Sequence, residues 1–432
     1  MHDPAWDTDP AAALAESERL IEDGGRCCPP RFKALDRLPR NTRKLLSMHI
    51  DVTNTQISDL SGLAERPDLE SLVLNDHVSD ISALEGLTAL TRLVAYTAPV
   101  TDLSPLRGCR SLTDLQPNVA HVADLSPLAD LPNLESLDLW SYRGQALWRH
   151  AGVQRLSFVH AAERSADLAP LVTWKALSSL GLERGIIKGA LPVLPTISFL
   201  SMPGCADRHF AALSGYTGLQ KLFAYDSNVS DLTPLAGCIH LETVELSDSR
   251  ITDIDPLVDK PALKSVSITG TSVTHISRLS WLPKLEHLRA DKTAVADIAG
   301  WNPDSTILFL SLQDTKVSDL SPLAGTRIQS LNIAGTPVSD LSFIATLQWL
   351  CGLNFARTQV SEIEPILAHA GLLYDVSDLD YRDRAAYYLH FEDTPLARSS
   401  EALHKISLMD GNTDTGNRQK ALRELHGIVP RR

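Results

Sequence analysis

An α/β solenoid is the fold this sequence predicts, and three observations predict it. Between Leu232 and Ile363 the text repeats about every 22 residues, as SNVSDLTPLAGC, SRITDIDPLVDK, TAVADIAGW, TKVSDLSPLAGT and TPVSDLSFIATL. A branched apolar residue leads each phrase, at Val229, Ile251, Val273, Val295, Val317, Val338 and Val360, and again near the start at Ile57, Val78, Val100 and Val122. Ahead of it stands a Leu-x-x-Leu-x-Leu core such as Leu285, Leu288 and Ala290, whose period of two suits a short strand buried on one face.

Each element follows from its text. The strand core gives way to a small hydroxyl residue, a branched apolar one, and then Asp-Leu-Ser-Pro-Leu. That stretch opens a helical turn, because Ser or Thr accepts bonds from free backbone amides and Pro tolerates the first helical position. No repeat has the apolar surface to close a core alone, so each needs both neighbours. Stacking about fourteen strands at ~4.8 Å gives a body on the order of 70 Å long, with a parallel sheet on the concave face and short helical or 3₁₀ turns on the convex face.

Residues 1–45 read as an N-terminal helical cap with a basic segment. Ala11 to Asp23 is amphipathic through Leu14, Leu20 and Ile21, and Arg26, Arg31, Lys33, Arg37, Arg40, Arg43 and Lys44 follow with Asp36 their sole opposing charge. The solenoid spans 46–370. It is regular over 46–139, irregular over 140–218, where WSYRGQALWRHAG and GIIKGALPVLPTISFLSMPGCADRHF interrupt the phrasing, and regular over 219–370. Strand cores persist through the irregular part at Leu156 and Phe158, Leu180 and Leu182, and Leu200 and Met202. Insertion on a binding face and simple repeat drift explain that stretch equally well. Residues 371–432 lose the period; DYRDRAAYYLHF, ARSSEALHKISLM and NRQKALRELHGIV read as helices of a C-terminal cap that covers the last repeat's apolar edge.

These repeats resemble bacterial leucine-rich-repeat proteins of the short, internalin-like class, over roughly Leu46 to Ile366. Most such repeats carry an Asn that ties successive turns together, whereas this chain has Ser227, Ser249, Thr271, Thr293, Thr315, Thr336 and Thr358. A hydroxyl has fewer bonding options than an amide, so a looser but continuous ladder is expected. The resemblance to internalins also brings receptor recognition at a bacterial surface into view, but no leader or anchor is legible here. Effectors resembling this class can carry a C-terminal ubiquitin-ligase domain with a nucleophilic Cys; no Cys follows Cys351.

The formal charge of −13 has a local source. Asp59, Asp80, Asp102, Asp124, Asp231, Asp253, Asp297, Asp319, Asp340 and Glu362 hold one place in each repeat, just before the convex turn, where a carboxylate caps amides and meets a helix dipole. Capping is favoured over a metal-binding row, since calcium needs ligands converging from several directions. Acidity argues against a nucleic-acid partner, which calls for a basic face. The cysteines form no C-x-x-C pair, so Cys109, Cys205, Cys238 and Cys351 read as structural thiols and Cys27-Cys28 as unassigned. No apolar run approaches a membrane span, and the acidic amino terminus lacks a signal's apolar core. Cytoplasmic residence is the expectation, with export by a dedicated secretion system the alternative.

No Gly-x-x-x-x-Gly-Lys-Ser/Thr, His-Glu-x-x-His or Gly-x-Ser-x-Gly is present, so no catalytic residue, metal or cofactor is expected. The predicted function is recognition of a protein partner on the concave face. The alternative is a delivered effector or regulatory protein whose terminal segments carry an activity that the repeats direct. Between core leucines, strand residues alternate onto the concave face, and the aromatic and Arg types there are those that anchor interfaces. Arg92, Tyr96, Trp140, Phe223, Tyr225, Glu245 and Arg289 are the predicted contact residues. From Ser247 to Thr269 the concave positions are small hydroxyls, which predicts a less adhesive stretch.

Overall fold

A computed structural model describes residues 4–22, 36–38, 49–63, 66–118, 122, 126–139, 158–161, 171–172, 177–182, 190–369, 371–373, 388–409 and 417–426. They fall into two compact units, Met1–Met202 and Pro203–Arg432.

The first unit opens with helix α1 (Pro10–Glu22), whose first amides bond to the Asp9 carboxylate, with Ala11 N donating at 2.9 Å. Strands β1 (His49–Asp51), β2 (Ser71–Val73), β3 (Arg92–Ala95), β4 (Asp114–Pro117), β5 (Ser136–Leu139), β6 (Phe158–Ala161), β7 (Ser179–Leu182) and β8 (Phe199–Ser201) follow. Each pairs in parallel with its sequence neighbours, Leu72 against Leu93, Leu93 against Leu115, and Leu115 against Leu137. The irregular stretch therefore keeps its strands at β6 to β8. Val159 pairs with Leu137 and Leu180 and Ala161 with Leu182, so the core pair lies three residues beyond the expected Leu156 and Phe158. A slip by an odd number of residues exchanges the two faces of a strand. Val94, which follows the core Leu93, is also buried.

The second unit continues the pattern in β9 (Lys221–Phe223), β10 (Thr243–Glu245), β11 (Ser265–Ser267), β12 (His287–Arg289), β13 (Phe309–Ser311), β14 (Ser330–Asn332) and β15 (Gly352–Asn354). The core is a set of columns: Leu222, Val244, Val266, Leu288, Leu310, Leu331 and Leu353 are all buried, as are the branched residues from Val229 to Val360. Each such side chain contributes ~1.5–3 kcal/mol by leaving water. A strand of three residues is enough because only its central side chain must be buried.

DYRDRAAYYLHF is not a helix at its described end. Tyr388–His390 forms β16, parallel to β15 with Leu353 opposite Leu389. YLHFEDTPL at 388–396 is one more repeat phrase, delayed by inserted text, and it puts Phe391 against Phe355 with ring centroids 5.9 Å apart. The other two expected helices are present as α5 (Glu401–Ser407) and α6 (Asn417–His426), with a short α4 (Pro395–Arg398) ahead of them; earlier in the chain α2 (Asp207–Phe210) precedes the 3₁₀ turn Ala211–Gly215, and α3 (Glu364–Leu367) replaces that turn in its repeat.

The described aspartates of the carboxylate column cap as expected, while Glu362 does not, and the serine's part is reversed. In DLSPL the serine does not cap; its own N–H donates to the aspartate two residues earlier, as Ser321 N to Asp319 Oδ1 at 2.8 Å and Ser82 N to Asp80 Oδ1 at 2.8 Å. Asp59, Asp102, Asp231, Asp253, Asp297 and Asp340 accept the equivalent bond; Asp124 lies outside the described residues.

The expected looseness of the hydroxyl ladder is also corrected. Thr271, Thr293, Thr315, Thr336 and Thr358 each turn Oγ1 back to the carbonyl three residues earlier, at 2.6–2.7 Å, within their own repeat. The tie to the next repeat is made by the backbone. The residue before the hydroxyl has positive φ, 54° at Asp248, 53° at Lys292, 55° at Asp314 and 59° at Arg357. That conformation points its N–H at the following repeat, Asp314 N to Ala334 O at 2.7 Å and Lys292 N to Gln313 O at 2.7 Å. In the first unit Asn75 does use an amide, bonding back to Val52 O at 3.1 Å and Thr55 O at 2.9 Å.

The four described cysteines are free. Burial pushes the Cys109 and Cys238 thiols up to about 11 and Cys205 to about 12. Their thiolates are thus suppressed, which agrees with a structural role. Cys27 and Cys28 lie outside the described residues.

Candidate recognition groove

The open face of the second unit's sheet is built from registered columns. In the first column Thr243, Ser265, His287, Phe309 and Ser330 stand side by side; in the second, Glu245, Ser267, Arg289, Ser311 and Asn332. A third follows two residues beyond each strand, with Tyr225, Ser247, Thr269 and Asp291. Large side chains on β12 and β13 and at Tyr225 enclose small ones on β11. The result is a groove of about 860 Å³ lined by these columns except Thr243 and Ser265, and by Asp248 and Tyr388.

Its walls are held in place. His287 and Phe309 are stacked, with centroids 4.5 Å apart and planes 7° from parallel. Asp291 Oδ1 accepts from the Ser311 hydroxyl and from Gln313 N at 2.8 Å. Glu245 Oε1 accepts from Ser247 N at 3.0 Å, and the Ser247 and Ser267 hydroxyls meet at 2.8 Å. At the far end Tyr388 reaches across Gly352, which has no side chain to obstruct it, and its hydroxyl lies 2.6 Å from Ser330 Oγ. Burial raises the Tyr388 pKa, so the phenol stays neutral at physiological pH. Among the described residues Arg289 makes no ion pair, and the side chain is exposed. No group of three or more His, Cys, Asp or Glu among the described residues is arranged to hold a metal.

No protein-family model matches the chain, and no curated protein matches it either. Solved structures do. An internalin from Listeria monocytogenes is 20% identical, covering 85% of this chain and 95% of that one with a TM-score of 0.52. A leucine-rich-repeat protein of Leptospira interrogans is 13% identical, covering 81% and 98%, with a TM-score of 0.57. Toll, in its complex with Spätzle from Drosophila, is 14% identical over 80% of this chain and 60% of that one, at 0.51.

The chain has the leucine-rich-repeat fold. In leucine-rich-repeat terms the groove occupies the sheet face, and the Asp-capped 3₁₀ turns form the other side of each repeat.

Of the predicted contact residues, the leucine-rich-repeat sheet gathers Tyr225, Glu245 and Arg289 into one groove. Phe223 stands in register beside Glu245, half-buried and outside the lining. Arg92 and Tyr96 belong to the first unit, where Arg92 pairs with Asp114 at 3.1 Å and Tyr96 is 39% exposed. Trp140 lies outside the described residues. The strand alternation also puts His287 on this face, but Phe309 and Tyr388 were not foreseen as wall residues. Phe309 precedes a core leucine, as His287 does, and that position was its signal; Tyr388 was hidden by the helical reading of its segment. The small hydroxyls from Ser247 to Thr269 are the floor that makes the groove, a use that their individual chemistry does not disclose.

Proposed function

We propose that this protein is a non-enzymatic recognition scaffold that holds a protein partner on the concave sheet face of its repeats. The observation that carries the reading is the groove, in which Tyr225, Glu245 and Arg289 converge with the His287–Phe309 stack over a floor of small hydroxyls. Aromatic and Arg side chains surrounding a depression are the residue types that dominate protein interfaces. The Toll neighbour was solved with a protein ligand, Spätzle, which supports this use of the fold. Cytoplasmic residence, with secretion-system export as the alternative, is part of the same proposal.

The test is affinity capture from the source organism's lysate, read by mass spectrometry, with the intact chain and two variants. Tyr225→Ala with Arg289→Ala removes groove anchors; Arg92→Ala with Tyr96→Ala alters the first unit's face. A partner retained by the intact chain and reduced about tenfold or more by the groove variant supports the proposal. Retention unchanged by both variants overturns recognition on this face. A cellular effect that survives both variants favours the reading in which a terminal segment carries the activity.

A further inference from the structure

The groove is unbalanced in charge. Glu245, Asp248 and Asp291 line it against a single guanidinium, Arg289. Two of those carboxylates are fixed by one oxygen only: Glu245 Oε1 is held by Ser247 N and Asp291 Oδ1 by Ser311 and Gln313. Fixing them through a single oxygen orients each without neutralising it. The aromatic walls add a second, independent preference. Tyr225 is 41% exposed, and its ring quadrupole attracts a cation placed over its face. The width also fits. Between β10 and β12 the floor is Ser267 and Thr269, so the gap spans two strand spacings, about 9.6 Å, which accommodates an extended chain with a long side chain lying in it.

We infer that the groove's occupant is an extended, basic segment of a protein partner, with a Lys or Arg side chain seated over the Ser267 and Thr269 floor. There it faces Glu245 on one wall and Asp291 on the other, and an apolar neighbour packs on the His287–Phe309 stack. Arg289 stands in register with Ser267 on the β12 side, so the cation takes the Thr269 end of the floor beside Asp291, and the guanidinium is left to donate to backbone carbonyls of the extended segment. The whole chain's charge of −13 steers such a segment toward the protein. This inference rests on the recognition reading above and specifies its ligand.

The experiment is fluorescence anisotropy on the full chain with three labelled probes of equal length: a Gly-spaced peptide of Lys and Phe, the same peptide with Glu for Lys, and oligothymidylate. The expected result is binding of the Lys peptide alone, weakened by salt, and weakened about tenfold or more by Glu245→Gln with Asp291→Asn. Both substitutions keep side-chain size, and an unchanged circular dichroism spectrum verifies the fold. Preference for the Glu peptide or the oligonucleotide overturns the inference, as does failure of the Lys peptide to bind or its indifference to the double variant. The lysate capture separates the two ideas. A partner lost with Tyr225→Ala and Arg289→Ala but kept by Glu245→Gln with Asp291→Asn leaves recognition standing and removes the basic segment.

Discussion

Ser249 and Thr271 stand one repeat apart in the same buried column, and only the threonine completes a hydrogen bond. Ser249 Oγ is buried without a partner, while Thr271 Oγ1 reaches Ile268 O at 2.7 Å. The γ-methyl of threonine restricts χ1 and so aims the hydroxyl. Ser249→Thr is therefore expected to stabilise the chain by about 1 kcal/mol, read as a rise in the urea midpoint with an unchanged slope. Gly335 makes the opposite case. Its φ is 71°, and a Cβ there would meet Asp314 Oδ1 at 2.1 Å and Arg357 Nη1 at 3.0 Å. These two side chains form an ion pair at 2.9 Å over the glycine. Burial opposes ionisation of Asp314, but hydrogen bonds from Arg357 and Gln313 and the charges of Arg357 and Lys292 outweigh it and lower its pKa. Gly335→Ala should cost about 2 kcal/mol or more in thermal unfolding, whereas Gly300→Ala, at φ 78° with nothing within 4 Å of the added carbon, should cost only the backbone strain of about 1 kcal/mol.

The repeated turn shows how much one element owes to a single side chain. At Asp319 the Ser321 amide and then its hydroxyl hold the carboxyl below the usual range, and Ser82 does the same for Asp80. A lowered folded-state pKa means stability present in full above the unfolded value and lost as pH falls through the folded one. Acidification from about pH 5 to pH 2 should therefore loosen these turns. Asn keeps an acceptor but does not titrate in this range, so Asp80→Asn with Asp319→Asn should shrink the difference between urea midpoints measured at pH 7 and at pH 3. An undiminished difference would assign the acid sensitivity elsewhere. The Asp column was legible because it recurs at a fixed offset from the core leucines. The serine's role was misread because local text does not say whether a residue beside a turn donates its amide or accepts with its hydroxyl.

In the second unit the last repeat's edge is closed by β16, which restores the column at Leu389 and Phe391. Removing residues 388–432 should expose Leu353 and Phe355 and produce aggregation, seen by light scattering, at concentrations where the full chain stays monodisperse. Tyr388→Phe leaves β16 in place and removes only the Ser330 bond, so a loss of about 1 kcal/mol without aggregation is expected.

By itself the sequence determined the repeat, the buried columns and the alternation that puts Tyr225, Glu245 and Arg289 on the open face, because strand and turn periodicities are written in neighbouring residues. Tertiary structure decided what depends on residues far apart in the chain. A groove exists only when the small side chains of β11 lie between larger ones some 22 residues to either side. Tyr388 becomes a wall only when Gly352 lets it reach Ser330, 58 residues earlier. Such neighbours are set by register, and register is a property of the stacked repeats.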